Sequence, residues 1–394
     1  MNSAMRLTCS LVACLVLGMF AAGWRTETAA RANSSEDAPA HPDNSNANTA
    51  NSWNPKAAAA YLDRRISWWM EWPRAQRDHE TFCVSCHTAV PYALSRSALR
   101  TVLAEQAASP NQQRLLDNVT KRVRLWKEVE PFYKDADRGP YKSVESRGTE
   151  SVLNALILSS RDAQTGHLSN DTRMAFENMW AEQQTAGKQK GPWLWLRFNN
   201  EPWEADDSDY FGAALAAIAV GIAPGNYRET AEIQTNVRLL REYLNREFAD
   251  QTSMNRALLL WASAKLPGML QPDRQKAIVD ELREKQQPDG GWSLSSLAGG
   301  WKRADGTAQE TSSDGYATGL ITFVLQQTSM SPDNANLKRG LAWLIANQDK
   351  TEGSWPAYSL NKSKANHISP ETALFMNDAA TSYAVLSLTA SNHR

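Results

Sequence analysis

Cys83, Cys86 and His87, in the run "FCVSCHTAVPYAL", are the residues most clearly spaced for chemistry. Two thiols two residues apart, with an imidazole directly after the second, form the CxxCH pattern through which a c-type haem is attached. At this spacing each thiol meets one vinyl group of a single haem, and the imidazole reaches the iron from the same side. One covalent haem c, with His87 as the proximal iron ligand, is therefore the expected cofactor. Two other readings of these residues stay open: a Cys83–Cys86 disulfide, and a zinc site completed by His79 or a nearby carboxylate.

An acidic cluster, "WEADDSDYFGAAL", places Glu204, Asp206, Asp207 and Ser208 ahead of an apolar segment. Asp206 and Asp207 are candidate catalytic acids. They suit a helix start equally well, because side-chain oxygens there accept hydrogen bonds from free backbone amides. Thr149, Asp314 and Asp378 occupy the same kind of position. Further along, "NHISPETALFMND" holds His367 and Met376. Both are candidates for the opposite side of the iron, since imidazole and thioether are common axial ligands of haem.

These residues must be positioned by helices. The chain has 394 residues, with 42 Lys+Arg against 43 Asp+Glu, a balance that argues against nucleic acid as a partner. The apolar run "LTCSLVACLVLGMFAAG" and the small-residue site "ARA" read as a cleaved export signal over residues 1–32. Cys9 and Cys14 fall within it, so only Cys83 and Cys86 remain afterwards. Disulfides are then no framework. A periplasmic or secreted protein, not integral to the membrane after cleavage, is expected. Residues 33–55, rich in Asn, Ala, Ser and Pro, read as a disordered linker, and 56–394 as one domain.

Two helix types alternate in that domain. Segments such as "NQQRLLDNVTKRVRLWKEV" and "DRQKAIVDELREKQ" carry one apolar stripe and belong outside. Segments such as "DYFGAALAAIAVG", "DGYATGLITFVLQQ" and "AATSYAVLSLTA" are apolar on most faces and belong inside. "TAVPYALSRSAL", directly behind the CxxCH, fits the inner type. Inner helices are expected to begin near residues 88, 149, 208, 252, 314 and 379, mostly at intervals of roughly 60 residues, a period that marks a repeat architecture. Tyr92, Tyr210, Tyr316 and Tyr383 fall early in them and suit core or pocket, while Trp68, Trp69 and Trp72 suit core or haem contact.

Several repeats carry a Gln-Gly-Trp marker between outer and inner helix: Gln286, Gly290 and Trp292, then Gln348, Gly353 and Trp355, and more loosely Gln184, Gly191 and Trp193. Six such hairpins can close into an all-α (α/α)6 barrel; an open solenoid is the alternative. The marker resembles the repeat of squalene-hopene cyclases and related terpenoid cyclases, whose α/α toroid is shared with protein prenyltransferase β-subunits. The resemblance spans about residues 56–394 and implies a single toroid. Glu204, Asp206, Asp207 and Ser208 resemble the D-x-D-D-T box of squalene-hopene cyclases, which implies a general-acid role for Asp206.

Three functions fit the residues. The first is an exported mono-haem protein for electron transfer or for redox or ligand sensing, working with a redox partner protein or a small apolar ligand. The second is a terpenoid-cyclase-like enzyme using Asp206. The third is a haem-dependent oxidase or peroxidase with an open sixth iron position.

Overall fold

The computed structural model describes residues 52–129, 139–366 and 369–390. The expected signal over 1–32 and most of the expected linker lie outside the described residues.

The chain is all-α. In order the helices are α1 (Pro55–Glu71), α2 (Ala89–Val102), α3 (Pro110–Arg124), α4 (Gly139–Thr165) and α5 (Asn170–Glu182). Next come α6 (Ser208–Ile222), α7 (Gln234–Arg246), α8 (Ser253–Lys265), α9 (Pro272–Glu284) and the short α10 (Leu294–Leu297). The last are α11 (Gly315–Gln326), α12 (Ala335–Ala346), the short α13 (Pro370–Ala373) and α14 (Phe375–Ala390). Among the described residues the sole sheet is a two-residue pair, β1 (Gln76–Arg77) against β2 (Thr81–Phe82).

The two helix types are both present. α11 is buried along its whole length, and α6 and α14 nearly so. α3, α7 and α9 each bury one face, for example Leu115, Val119 and Val123 on α3. Local signals set the outer starts. Asn54 and Ser109 cap α1 and α3, accepting from Ala57 N and Gln112 N, and a proline follows each cap, where its missing amide has no helical partner.

The inner helices pack in series: α2 on α4, α4 on α6, α6 on α8, α8 on α11, α11 on α14, and α14 back on α2. Small residues allow the closest approach. A Cβ on Gly319 of α11 would lie 2.7 Å from the backbone nitrogen of Ala384 on α14.

The Gln-Gly-Trp segments make one repeated set of bonds. Gln286 Nε2 donates to Gly290 O and to Asn336 O, while Asn336 Nδ2 donates back to Gln286 Oε1. In the looser copy Gln183, rather than the expected Gln184, does the same with Gly191 and Asn236. The last copy, Gln348, bonds Gly353 O, Asn54 O and Asn54 N. Asn236 and Asn336 lie in the following outer helices, α7 and α12, whereas Asn54 is the cap of α1. Each marker Trp is fully buried and donates its indole N–H to the preceding outer helix, at Met179, Leu282 or Leu344.

Three expectations change. The ordered domain begins before residue 56, since Trp53 packs on Trp355 with ring centroids 6.2 Å apart and α1 starts at Pro55. α4 starts at Gly139, so Thr149 is interior; its hydroxyl accepts from Leu196 N at 2.9 Å. α14 starts at Phe375, so Asp378 is no cap. Among the described residues no helix is long and apolar enough to cross a membrane.

Candidate cofactor site

The CxxCH segment links α1 to α2 and is clamped from both sides. Asn118 of α3 accepts from Phe82 N at 2.9 Å and donates to Phe82 O at 3.0 Å. Cys83 N donates to Ala75 O at 2.7 Å, and Trp69 Nε1 donates to Cys83 O at 2.7 Å. Ser85, inside the motif, accepts from Thr88 N and Ala89 N. Its hydroxyl supplies the capping contacts that Thr88, the residue at the cap position, does not make. The motif thus doubles as the start of α2, with Pro91 in the first turn.

Cys83 is half-buried, Cys86 is buried, and both are free thiols. Burial pushes both thiols up, Cys86 further than Cys83, with the Glu204 charge adding to the effect at Cys86. His87 Nδ1 lies 2.8 Å from Thr88 Oγ1, and Thr88 Oγ1 donates to Asp378 Oδ2 at 2.8 Å. Since the Thr88 proton is committed to Asp378, its lone pair accepts from His87 Nδ1–H. Nε2 is then left with a lone pair, the arrangement a ligating imidazole needs. Burial first, then the Arg65 charge, pushes His87 down to about 3, so the ring is neutral near pH 7.

Asp378 is the anchor of this chain. It receives Arg65 Nε at 2.6 Å, Arg65 Nη2 at 3.0 Å and the Tyr61 hydroxyl at 3.0 Å. Burial raises its carboxyl, against the opposing pull of Arg65 and the hydrogen bonds. The imidazole ring stacks on Phe375 at 3.9 Å, and Trp69 meets it edge-on at 5.0 Å.

Cys83, Cys86 and His87 line one cavity of about 1150 Å³. That lies just above the range of about 300–1,000 Å³ usual for cofactor and ligand sites. Trp69 and Trp72 from α1 and its end, Phe375 from α14, and Phe198 and Glu204 from the segment before α6 complete the wall. Arg74 and Arg77 also line it and match the acidic edge of a porphyrin in charge. Burial pushes Glu204 up to about 7. The fit to a c-type haem is therefore good: two thiols, an oriented neutral imidazole, aromatic walls and cations share one space.

The remaining candidates are placed differently. Met376 is buried but does not line this cavity; it lines a smaller one of about 220 Å³ that His87 also borders. His367 lies outside the described residues. His79, in the turn between β1 and β2, lines the larger cavity, with Nε2 3.6 Å from Asp78. Among the described residues no three His, Cys, Asp or Glu side chains are grouped to hold a metal ion, so the zinc set is not assembled.

Asp206 is exposed to solvent, whereas an acid that protonates an apolar substrate must face a cavity closed to water. Asp207 stands at the cap of α6 but makes no capping bond with its side chain. Instead it accepts from Asn255 Nδ2 at 2.9 Å and pairs with Glu201, whose carboxyl burial and the Asp207 charge push up to about 8. Asp314 does cap its helix, accepting from Tyr316 N and Ala317 N. Tyr92, Tyr210, Tyr316 and Tyr383 are core residues.

Sequence reasoning missed Phe375 and Trp203 as ring neighbours of His87, at 3.9 and 5.6 Å, Asp378 as its anchor through Thr88, and Glu204 as the acid on the cavity wall. A charged Arg65 on a largely apolar helix face was the available signal for Asp378. No protein-family model matches the chain, and no curated protein matches it.

Proposed function

We propose that this chain is an exported mono-haem c-type protein built on a single (α/α)6 toroid, acting in electron transfer or in redox or ligand sensing. The observation that carries the reading is the meeting of Cys83, Cys86 and His87 on one cavity, with His87 Nδ1 tied through Thr88 to Asp378. Cys83 and Cys86 would hold the haem edge and His87 Nε2 the iron. When bound, haem supplies a reversible one-electron couple or a ligand-binding metal. The chain's own residues orient the imidazole, keep it neutral and enclose it in aromatic side chains.

The toroid is supported by the return of α14 onto α2 and by Gln348 bonding Asn54 where earlier copies bond the next outer helix. Export is supported by the composition of residues 1–32. The partner is a redox protein or a small apolar ligand.

A haem-dependent oxidase or peroxidase is a second reading, favoured by Glu204 on the cavity wall with a carboxyl near neutrality. The deciding measurement is the visible spectrum and denaturing mass of the exported full chain. A reducible band that survives acid–acetone extraction, with one haem mass added, is expected. An unmodified chain mass would overturn the reading. Rapid spectral change and turnover with peroxide would favour the second.

A further inference from the structure

The smaller cavity, about 220 Å³, adjoins the larger one and shares Trp72, Arg74, His87, Asn200, Glu204 and Phe375 with it. Its apolar wall is formed by Trp72, Trp203, Phe375 and Met376. Trp203 and Met376 are buried, at 7% and 4% exposure, while Trp72 and Phe375 are half-buried and Arg74 is exposed, so the cavity reaches from the surface into the core. Two cations, Arg74 and Lys362, face the same space. Neither has an ion pair among the described residues; Arg74 lies over the Trp72 ring at 6.0 Å, and Lys362 bonds through its backbone amide to Ser359. Glu204 is the one carboxylate on the wall among the described residues, and Asn200 hydrogen-bonds to it.

Unpaired cations beside aromatic faces are a recognition set. The faces take a flat apolar body, and the cations take a negative end. The volume falls below the range of about 300–1,000 Å³ typical of drug-sized ligands, so the molecule is small. We propose that this chamber binds a small aromatic or conjugated monocarboxylate, its ring against Trp72, Trp203 and Phe375 and its carboxylate toward Lys362 and Arg74. The proposal does not depend on covalent attachment, because neither thiol lines this cavity, although Trp72, Arg74, His87 and Phe375 are common to both spaces. Phe375 and His87 border both cavities, so a bound ring would lie beside the imidazole and be read by it.

The test uses the purified full chain and benzoate as the probe, with benzamide as its neutral match. Calorimetry and tryptophan fluorescence should show saturable benzoate binding and benzamide binding at least about tenfold weaker. Lys362→Gln should weaken benzoate by about tenfold, with Arg74→Gln acting in the same direction. Lys338→Gln, at an exposed pair with Asp333, should change nothing. The Cys83→Ala/Cys86→Ala variant should still bind benzoate, whether or not the unmodified chain proves coloured, which separates this claim from the haem reading. Absence of saturation, equal affinity for benzamide, indifference to Lys362→Gln, or loss of binding in the double cysteine variant would each overturn the proposal.

Discussion

The hairpin of α1 and α2 and the hairpin of α12 and α14 solve the same problem in two ways. In both, a loop passes from an outer to an inner helix and is clasped by the neighbouring outer helix. In the α12–α14 loop, Gln348 reaches Asn54, Gly353 lets the backbone come within contact of Ala57, and Trp355 fills the space behind it. In the α1–α2 loop the clasp is Asn118 on the backbone of Phe82, and Trp72, the tryptophan at the start of the loop, lines the space without filling it. The cavity of about 1150 Å³ lies there instead. A repeat can thus leave open the space that a buried indole fills elsewhere while an asparagine of the next outer helix still holds the loop.

The largest test is covalent. Cys83→Ala/Cys86→Ala should abolish covalent haem altogether and leave the helical circular dichroism close to that of the unmodified chain. Retained haem mass after denaturation would break the comparison at its first region. At the second region, Trp355→Ala should cost about 3–5 kcal/mol, the usual range for deleting a buried large aromatic. A measured denaturation cost below about 1 kcal/mol would mean that the indole is not the plug.

A smaller effect sharpens the first region alone. Thr88→Val removes the acceptor for His87 Nδ1. Losing such a support typically weakens metal ligation about 10- to 100-fold. We expect a larger high-spin fraction and a shifted midpoint potential, with folding nearly unchanged. An unchanged spectrum and potential would show that Asp378 does not orient the imidazole.

The smallest effect concerns the loop lying between the two regions in sequence. The folded chain holds the Glu201 carboxyl at about 8 against an ordinary 4.5, so the folded state binds the extra proton. This contribution to stability is fully present below about pH 4.5 and is lost as pH rises through about 8. Glu201→Gln should flatten the fall in denaturant titrations across that window. An equal slope in the variant would assign the dependence elsewhere.

The helices were legible because apolar spacing dictates burial, and the buried α6, α11 and α14 differ in composition from the striped α3, α7 and α9. The start of α4 was not, because Tyr141 and Val144 are exposed at 63% and 46% and its first turns show no core-facing pattern. Gln183 was mistaken for Gln184 because adjacent glutamines are equivalent until the backbone turns. Cys83, Cys86 and His87 were legible as a local spacing. The support of His87 was not, since Thr88 and Asp378 are 290 positions apart and neither carries a motif. In the acidic box, composition alone did not separate exposed Asp206 from Glu204 on the cavity wall.

The distance between Thr88 and Asp378 also bears on biogenesis. The CxxCH segment leaves the ribosome early, whereas the residues that orient and stack against His87 are made near the end. A prematurely terminated product ending before α14 would carry both thiols yet lack Phe375 and Asp378. Its α1 would also lack the marker residues Gln348 and Gly353 if it ended before α12. Such a fragment would present a loose imidazole in an exposed loop, open to proteolysis. The orientation of His87 therefore reports on the whole fold, because it is complete only once α14 has packed against α2.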